Sequence, residues 1–266
     1  MHASLVNGGG FLLIRFSPLF TDNLNFMDIL FLFGSLSAFF GILWMLIKVD
    51  IKGILASSTI SQMGFMFMQI GLGLFPAAVS HLCMHGLFKS YLFLSSGSAL
   101  NNKAKASNSV IEWKNILHVL CSVVLGMAIF LNCLKQDIIF FNTRIIFILF
   151  VLIFFFDIAL NVFKVSSGLI DIMLKYLAIF SIALIYGSFM HFTHYYLASS
   201  SPEILYPINL IHCFILGIFL FAYLAMILKK NPLFIFSEKN LLRVYAFLVN
   251  ISQPSIQSAT LTKKGF

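Results

Sequence analysis

His81, His85 and Lys89 recur at intervals of four residues in the stretch His-Leu-Cys-Met-His-Gly-Leu-Phe-Lys. On a helix, with about 100° and 1.5 Å per residue, that spacing sets two imidazoles and an ammonium along one slowly turning stripe about 12 Å long. An imidazole accepts a proton on one nitrogen and releases one from the other, so such a stripe can relay protons. Upstream, Ser57, Ser58, Ser61 and Gln62 offer hydroxyls and an amide able to hold a file of water opposite it. The same side chains also have a structural use, because Ser, Gln and His bond helices to one another in a membrane. For the serines and Gln62 alone that structural use is the better reading. Lys89 tips the stripe toward a path, since a central ammonium is a poor packing device and ionisable groups at membrane depth face a bundle interior or a water-filled route.

The segments that carry these residues are apolar. Of 266 residues, 60% are hydrophobic and only 10% charged, and the mean hydropathy is +0.99. Soluble domains carry about 25% charged residues, so the composition is that of a polytopic membrane protein. The formal charge of +8, from 17 Lys and Arg against 9 Asp and Glu, lies in short connections rather than in a groove-sized patch, which argues against a nucleic-acid partner. Cys83, Cys121, Cys133 and Cys213 all fall within apolar segments without metal-site spacing, and read as small buried hydrophobes. The N-terminus lacks the pattern of a signal peptide: no basic residue precedes its apolar part, and Gly8-Gly9-Gly10 interrupts it.

Crossing a hydrocarbon layer of about 30 Å takes roughly 20 residues of helix. The apolar runs predict an all-α bundle of about eight transmembrane helices, over residues 3–16, 26–47, 54–75, 77–100, 115–134, 144–163, 174–192 and 207–228. A cationic turn at Asp50 and Lys52 precedes the third, and a Pro76-Ala77 turn separates the third from the fourth. The chain divides into the core helices of residues 1–100 with the ionisable motif, further membrane helices over 101–228, and a basic tail over 229–266. Within the tail, residues 241–249 form an amphipathic helix candidate that Pro254 stops.

Charge asymmetry tests this reading independently of hydropathy. Lys48, Lys52, Lys103, Lys105, Lys114, Lys164, Lys175, Lys229, Lys230, Lys239, Arg243, Lys263 and Lys264 fall on one side, and Arg15, Lys135 and Arg144 on the other. The positive-inside rule makes the first side, and with it both termini, cytoplasmic. Lys89 belongs to neither side, because it lies inside the fourth helix. Among the remaining candidates, His118 and His212 near helix starts read as interfacial or satisfied, and His191 and His194 favour the end of the seventh helix. Asp157 has no evident partner, and Met63, Met66 and Met68 read as packing.

The stretch Asp-Ile-Lys-Gly-Ile-Leu-Ala-Ser-Ser-Thr-Ile-Ser-Gln-Met-Gly from Asp50, with His-Leu-Cys-Met-His-Gly-Leu-Phe-Lys-Ser from His81, strongly resembles the antiporter-like membrane subunits of respiratory complex I and multisubunit cation/proton antiporters. His-Ala-Ser-Leu-Val-Asn-Gly-Gly-Gly-Phe-Leu-Leu-Ile-Arg from His2 looks like the helix two steps earlier in that fold. Together with Leu-Val-Asn-Ile-Ser-Gln-Pro from Leu248, it is most similar to the DabB-type membrane subunits of inorganic carbon accumulation complexes. The resemblance covers about the first hundred residues well and the tail loosely.

By this resemblance, Lys89 corresponds to the central-channel lysine, His85 and His81 to the histidines before it, and His2 to an intramembrane histidine. The family's upstream half, with its Glu and Lys charge pair, does not precede His2, and no Pro-interrupted helix with a second Lys follows Leu100. The resemblance therefore implies a member lacking its N-terminal half, and it weakens a respiratory assignment. It implies a bacterial inner-membrane subunit whose ion path runs through Lys89, His85, His81, His2, Ser61 and Gln62, conducting protons or another cation. That flow would energise a partner of DabA type, a soluble zinc protein that hydrates carbon dioxide to bicarbonate, with the zinc in the partner and no cofactor in this chain. A proton-translocating quinone oxidoreductase subunit and a truncated, non-conducting scaffold remain as alternatives.

Overall fold

A computed structural model describes residues 5–48, 50–95, 113–134, 142–164, 168–197 and 203–228. His2, most of the polar loop at 101–114 and the 229–266 tail with its 241–249 helix candidate lie outside the described residues. Eight α-helices and one 3-10 turn make up the described chain, which contains no β-strand: α1 Leu5–Arg15, the turn Ser17–Leu19, α2 Leu24–Ile47, α3 Ile51–Gly71, α4 Phe75–Ser95, α5 Trp113–Leu134, α6 Arg144–Val162, α7 Leu169–Leu197 and α8 Leu210–Leu228. Among them α2, α5, α6 and α7 are long and apolar enough to cross a membrane by length and composition. The architecture is a polytopic helix bundle, as the apolar runs predict.

Local chemistry moves some boundaries. The Asp50 carboxylate accepts from the Gly53 amide at 2.6 Å and caps α3, so the helix starts at Ile51 and takes in Lys52. The α3–α4 reversal lies at Leu72-Gly73-Leu74, ahead of the Pro76-Ala77 pair where the sequence suggests it. Gly73 has φ +75°, a left-handed conformation that glycine enters without cost, and a Cβ there would sit 2.0 Å from the Ile204 carbonyl oxygen. Pro76 instead occupies the first turn of α4, where its missing N–H has no intrahelical partner to lose. Helix α7 runs longer at both ends than expected. Lys175 and Asp171 pair at 2.9 Å across one turn within it rather than ending it.

The closest seam joins α2 to α3, and small residues make it possible. A Cβ on Gly64 would lie 2.4 Å from the Ala38 amide nitrogen, one on Gly41 2.4 Å from that of Ser61, and one on Gly71 2.5 Å from that of Phe31. Backbones meet backbones along the whole contact. Without a hydrophobic drive inside lipid, such close van der Waals approach is a main source of helix association. The opposite side of α2 presents Phe33, Leu36 and Phe40 outward. Leu152 and Phe154 on α6, Ile185 and Phe192 on α7, and Phe214 and Phe221 on α8 likewise face out. An exterior this apolar belongs in hydrocarbon.

One end of the bundle is laced by the segment before α8. The Ile204 amide donates to the Gly73 carbonyl at 3.1 Å, and the Thr143 amide donates to the Tyr206 carbonyl at 3.0 Å. The Tyr206 hydroxyl reaches the Thr21 carbonyl at 2.8 Å, and the Asn209 amide donates to Asp28 at 3.0 Å. This one strap thereby ties the starts of α2 and α6 to the α3–α4 turn. Arg15 and Arg144 stand at the laced end, while Lys48, Lys52, Lys164 and Lys175 stand at the other, which is the segregation expected from the charge pattern.

Candidate functional site

Antiparallel α3 and α4, joined by the tight Gly73 turn, bring the start of α3 beside the later turns of α4. Lys89 is the fifteenth of the 21 residues of α4 and is 3% exposed. Its ammonium donates to the Leu55 carbonyl at 3.1 Å and, closer still, to the Ser58 hydroxyl. Ser58 in turn donates its own proton to Leu55 at 2.9 Å, which leaves its lone pairs for Lys89. An ammonium has three donors and a neutral amine two. The two acceptors therefore take up both N–H donors of the neutral form and leave one donor of the charged form for the groove. Because Leu55 and Ser58 lie early in α3, Lys89 sits about a third of the way in from the lysine-rich end, at roughly 10 Å along α3 by helical rise, rather than at mid-depth as its place in a longer helix would give.

His85 and His81 follow toward the laced end. Their rings are stacked at 6.0 Å between centroids with planes 13° apart, and His81 also packs 5.5 Å from the Phe65 ring. His85 is buried, and the Nε2 atoms of both imidazoles are buried without a hydrogen-bond partner among the described residues. Buried polar atoms are nearly always bonded, and these two exceptions stand one turn apart on one face of α4. Packing and a hydrogen bond to the Gln62 backbone hold the His81 ring, which leaves Nε2 as its unpartnered nitrogen.

All three residues line one groove of about 550 Å³, with Ser58 and Gln62 from α3, Phe154 from α6 and Tyr186 from α7. Of the residues proposed from sequence, the structure thus brings Lys89, His85, His81 and Gln62 together. Ser61 faces elsewhere: it packs against Gly41 of α2 and does not line the groove. His2 lies outside the described residues. Ser58, named from the sequence with Ser57, Ser61 and Gln62 as a hydroxyl opposite the stripe, lines the groove as well, whereas Tyr186, a tyrosine in an apolar helix with no motif around it, was not legible.

The remaining candidates have separate roles. His118 bonds the Tyr176 hydroxyl at 3.1 Å and stacks on Phe163. His212 takes the Asn209 amide on Nδ1 at 3.1 Å, with Nε2 3.5 Å from Asp28. Asp157 is exposed on α6 and accepts from Asn161 one turn on, at 3.1 Å. Met63, Met66 and Met68 are buried packing residues, as the sequence suggests. Cys83, Cys121 and Cys213 are exposed rather than buried, because they face the apolar exterior.

A family model described as NADH:quinone oxidoreductase/Mrp antiporter, TM, matches residues 1–143, more than half of the chain. Among curated proteins, a probable inorganic carbon transporter subunit DabB of Bacillus anthracis is 46% identical over 129 residues, which cover 48% of this chain and 25% of that protein. One of the same name from Bacillus subtilis is 45% identical over 136 residues, 50% of this chain and 26% of that protein. NADH-ubiquinone oxidoreductase chain 5 of Chondrus crispus is 41% identical over 99 residues, 37% of this chain and 15% of that protein. The matched region of this chain spans about a quarter or less of the length of these relatives. No solved structure matches the chain.

Proposed function

Because the chain belongs to the NADH:quinone oxidoreductase/Mrp antiporter transmembrane family, we propose that it conducts protons or another cation along the Lys89, His85 and His81 stripe as one subunit of a membrane complex that accumulates inorganic carbon. The observation that carries this reading is the buried Lys89 amine bonded to Ser58 and Leu55, at the head of a groove shared with two imidazoles whose Nε2 atoms have no partner among the described residues. Gln62 lines the same groove, and His2 is proposed by family resemblance as a further group on the route. The similarity to subunits named for inorganic carbon transport supports the substrate class.

In this reading the complex lies in a bacterial inner membrane with both termini of this chain cytoplasmic. The hydration of carbon dioxide falls to a soluble zinc-protein partner of DabA type, and the membrane chain supplies the coupling ion flow. Purification of the tagged full-length chain from gently solubilised membranes tests it. A stoichiometric zinc-containing partner should co-purify, and the pair should restore growth in air to a strain lacking its carbonic anhydrases. Co-purification of quinone oxidoreductase subunits instead would favour the second reading, a proton-translocating respiratory subunit, which the similarity to chain 5 supports.

A further inference from the structure

A second polar site lies where α4 begins, built mostly by residues beyond the part of the chain that matches the family. The Arg144 guanidinium grips Glu203 with two hydrogen bonds, at 2.8 and 3.3 Å, and the side chains of this pair are only 16% and 11% exposed. His194 sets its Nε2 3.5 Å from the same Glu203 oxygen. Arg144 starts α6, His194 lies in the last turn of α7, and Glu203 belongs to the strap. These three, with Pro76 and Ala77 of α4, Leu134 of α5 and Met190 of α7, enclose a cavity of about 20 Å³, enough for a water molecule.

Behind that cavity lies a buried hydroxyl pair. Ser80 Oγ and Thr193 Oγ1 are 2.5 Å apart, and either can be the donor. Both also reach the Pro76 carbonyl, at 2.9 and 3.4 Å. Ser80 immediately precedes His81, and Thr193 immediately precedes His194. Pro76, whose carbonyl both hydroxyls reach, also lines the cavity, so the hydroxyl pair lies between the Glu203 cluster and the turn of α4 that carries His81. A buried ion pair adds little to stability over well-packed apolar residues, so stability alone gives no reason for this one.

We propose that Glu203, gripped by Arg144 and flanked by His194, is the group through which the path exchanges protons with the medium at the laced end of the bundle, and that the Ser80–Thr193 pair carries them between it and His81. The Glu203 carboxylate takes a proton from a hydronium ion and releases water. Transfer to Thr193 through the cavity, with the Thr193 proton passing to Ser80 and the Ser80 proton to His81, restores each group and protonates the imidazole. Among the described residues, the charged or titratable groups facing Glu203 are Arg144 from α6 and His194 from α7. The start of α4 adds only the positive end of its dipole. This proposal rests on the conduction reading above and deepens it.

The test uses the full chain with its co-purifying partners in sealed membrane vesicles, measuring proton flux while the pH on each side is varied separately. Lys89→Met should abolish flux, and that arm examines conduction itself. The neutral pair Arg144→Gln with Glu203→Gln, which preserves hydrogen bonding without a stranded charge, should lower flux at least tenfold. It should also remove the dependence on pH at the laced side, and Glu203→Asp should recover both in part. Thr193→Val should slow flux at every pH without shifting the profile. If the neutral pair fails to accumulate, His194→Gln decides, because it leaves the ion pair intact and should still displace the laced-side pH profile. Flux within twofold of wild type with an unchanged profile in the neutral pair, or an unchanged profile in His194→Gln, overturns the proposal while Lys89→Met is inactive. Wild-type flux in Lys89→Met overturns the conduction reading and this inference with it.

Discussion

At the residue scale, the account turns on how Lys89 can be buried at all. A lysine at the centre of a membrane helix costs about 2.5 to 3.5 kcal/mol even on lenient insertion scales, an upper bound for Lys89 nearer one end, and here the Leu55 carbonyl and the Ser58 hydroxyl accept from its ammonium. Hydrogen bonds to charged groups contribute about 1.5 to 3 kcal/mol each. Ser58→Ala should therefore leave the chain in the membrane but lower flux several-fold, because the charged state loses one of its two acceptors. Equal flux in the alanine and wild-type chains would show that Ser58 only fills space. The stripe itself was legible in the sequence, since a four-residue spacing has one meaning on a helix. Which serine meets Lys89 was not, because that depends on the register of α3 against α4. The register follows from the Gly73 turn and the α2 contact, and the run of serines does not by itself reveal either.

At the scale of elements, α3 is held in place by α2 more than by anything else. Gly34 and Ala38 of α2 meet Gly64 of α3, Gly41 meets the Ser61 backbone, and Gly71 meets the Phe31 backbone. The spacing of small residues in Gly34-Ser35-Leu36-Ser37-Ala38 is a readable signal of this kind, although its partner helix is not readable from it. Gly64→Leu should push the two helices apart at a typical overpacking cost of about 1 to 3 kcal/mol. It should lower the thermal midpoint in detergent and shift Ser58 away from Lys89, so that stability and flux fall together. Gly8→Ala, where a Cβ would meet nothing within 4 Å, should leave both unchanged. A stable and active Gly64→Leu chain would contradict the close-packed seam. The helices themselves were recoverable from hydropathy, but their ends were not. Asp50 and Gly73 set two of those ends by capping and by a left-handed turn, which apolar periodicity cannot see.

At the scale of the whole molecule, the described basic residues segregate to opposite ends as the charge pattern predicts, and the strap before α8 closes one of those ends. The strap and its Arg144–Glu203 pair were invisible in the sequence, because the two residues are far apart in the chain and neither lies in a motif. Reporter fusions at Lys105 and at Ser200 should land on opposite sides of the membrane, with Lys105 inside. The same side for both would overturn the alternation of helices on which the path depends. The central claim is that Lys89 carries the ion, and its most direct measurement is coupled proton flux in vesicles holding equal amounts of wild-type, Lys89→Met and Lys89→Arg chains. Methionine keeps much of the length without titrating, and arginine stays protonated at any working pH. The account predicts that both variants insert, bind the same partners and conduct nothing above background; wild-type flux in the methionine chain would contradict it.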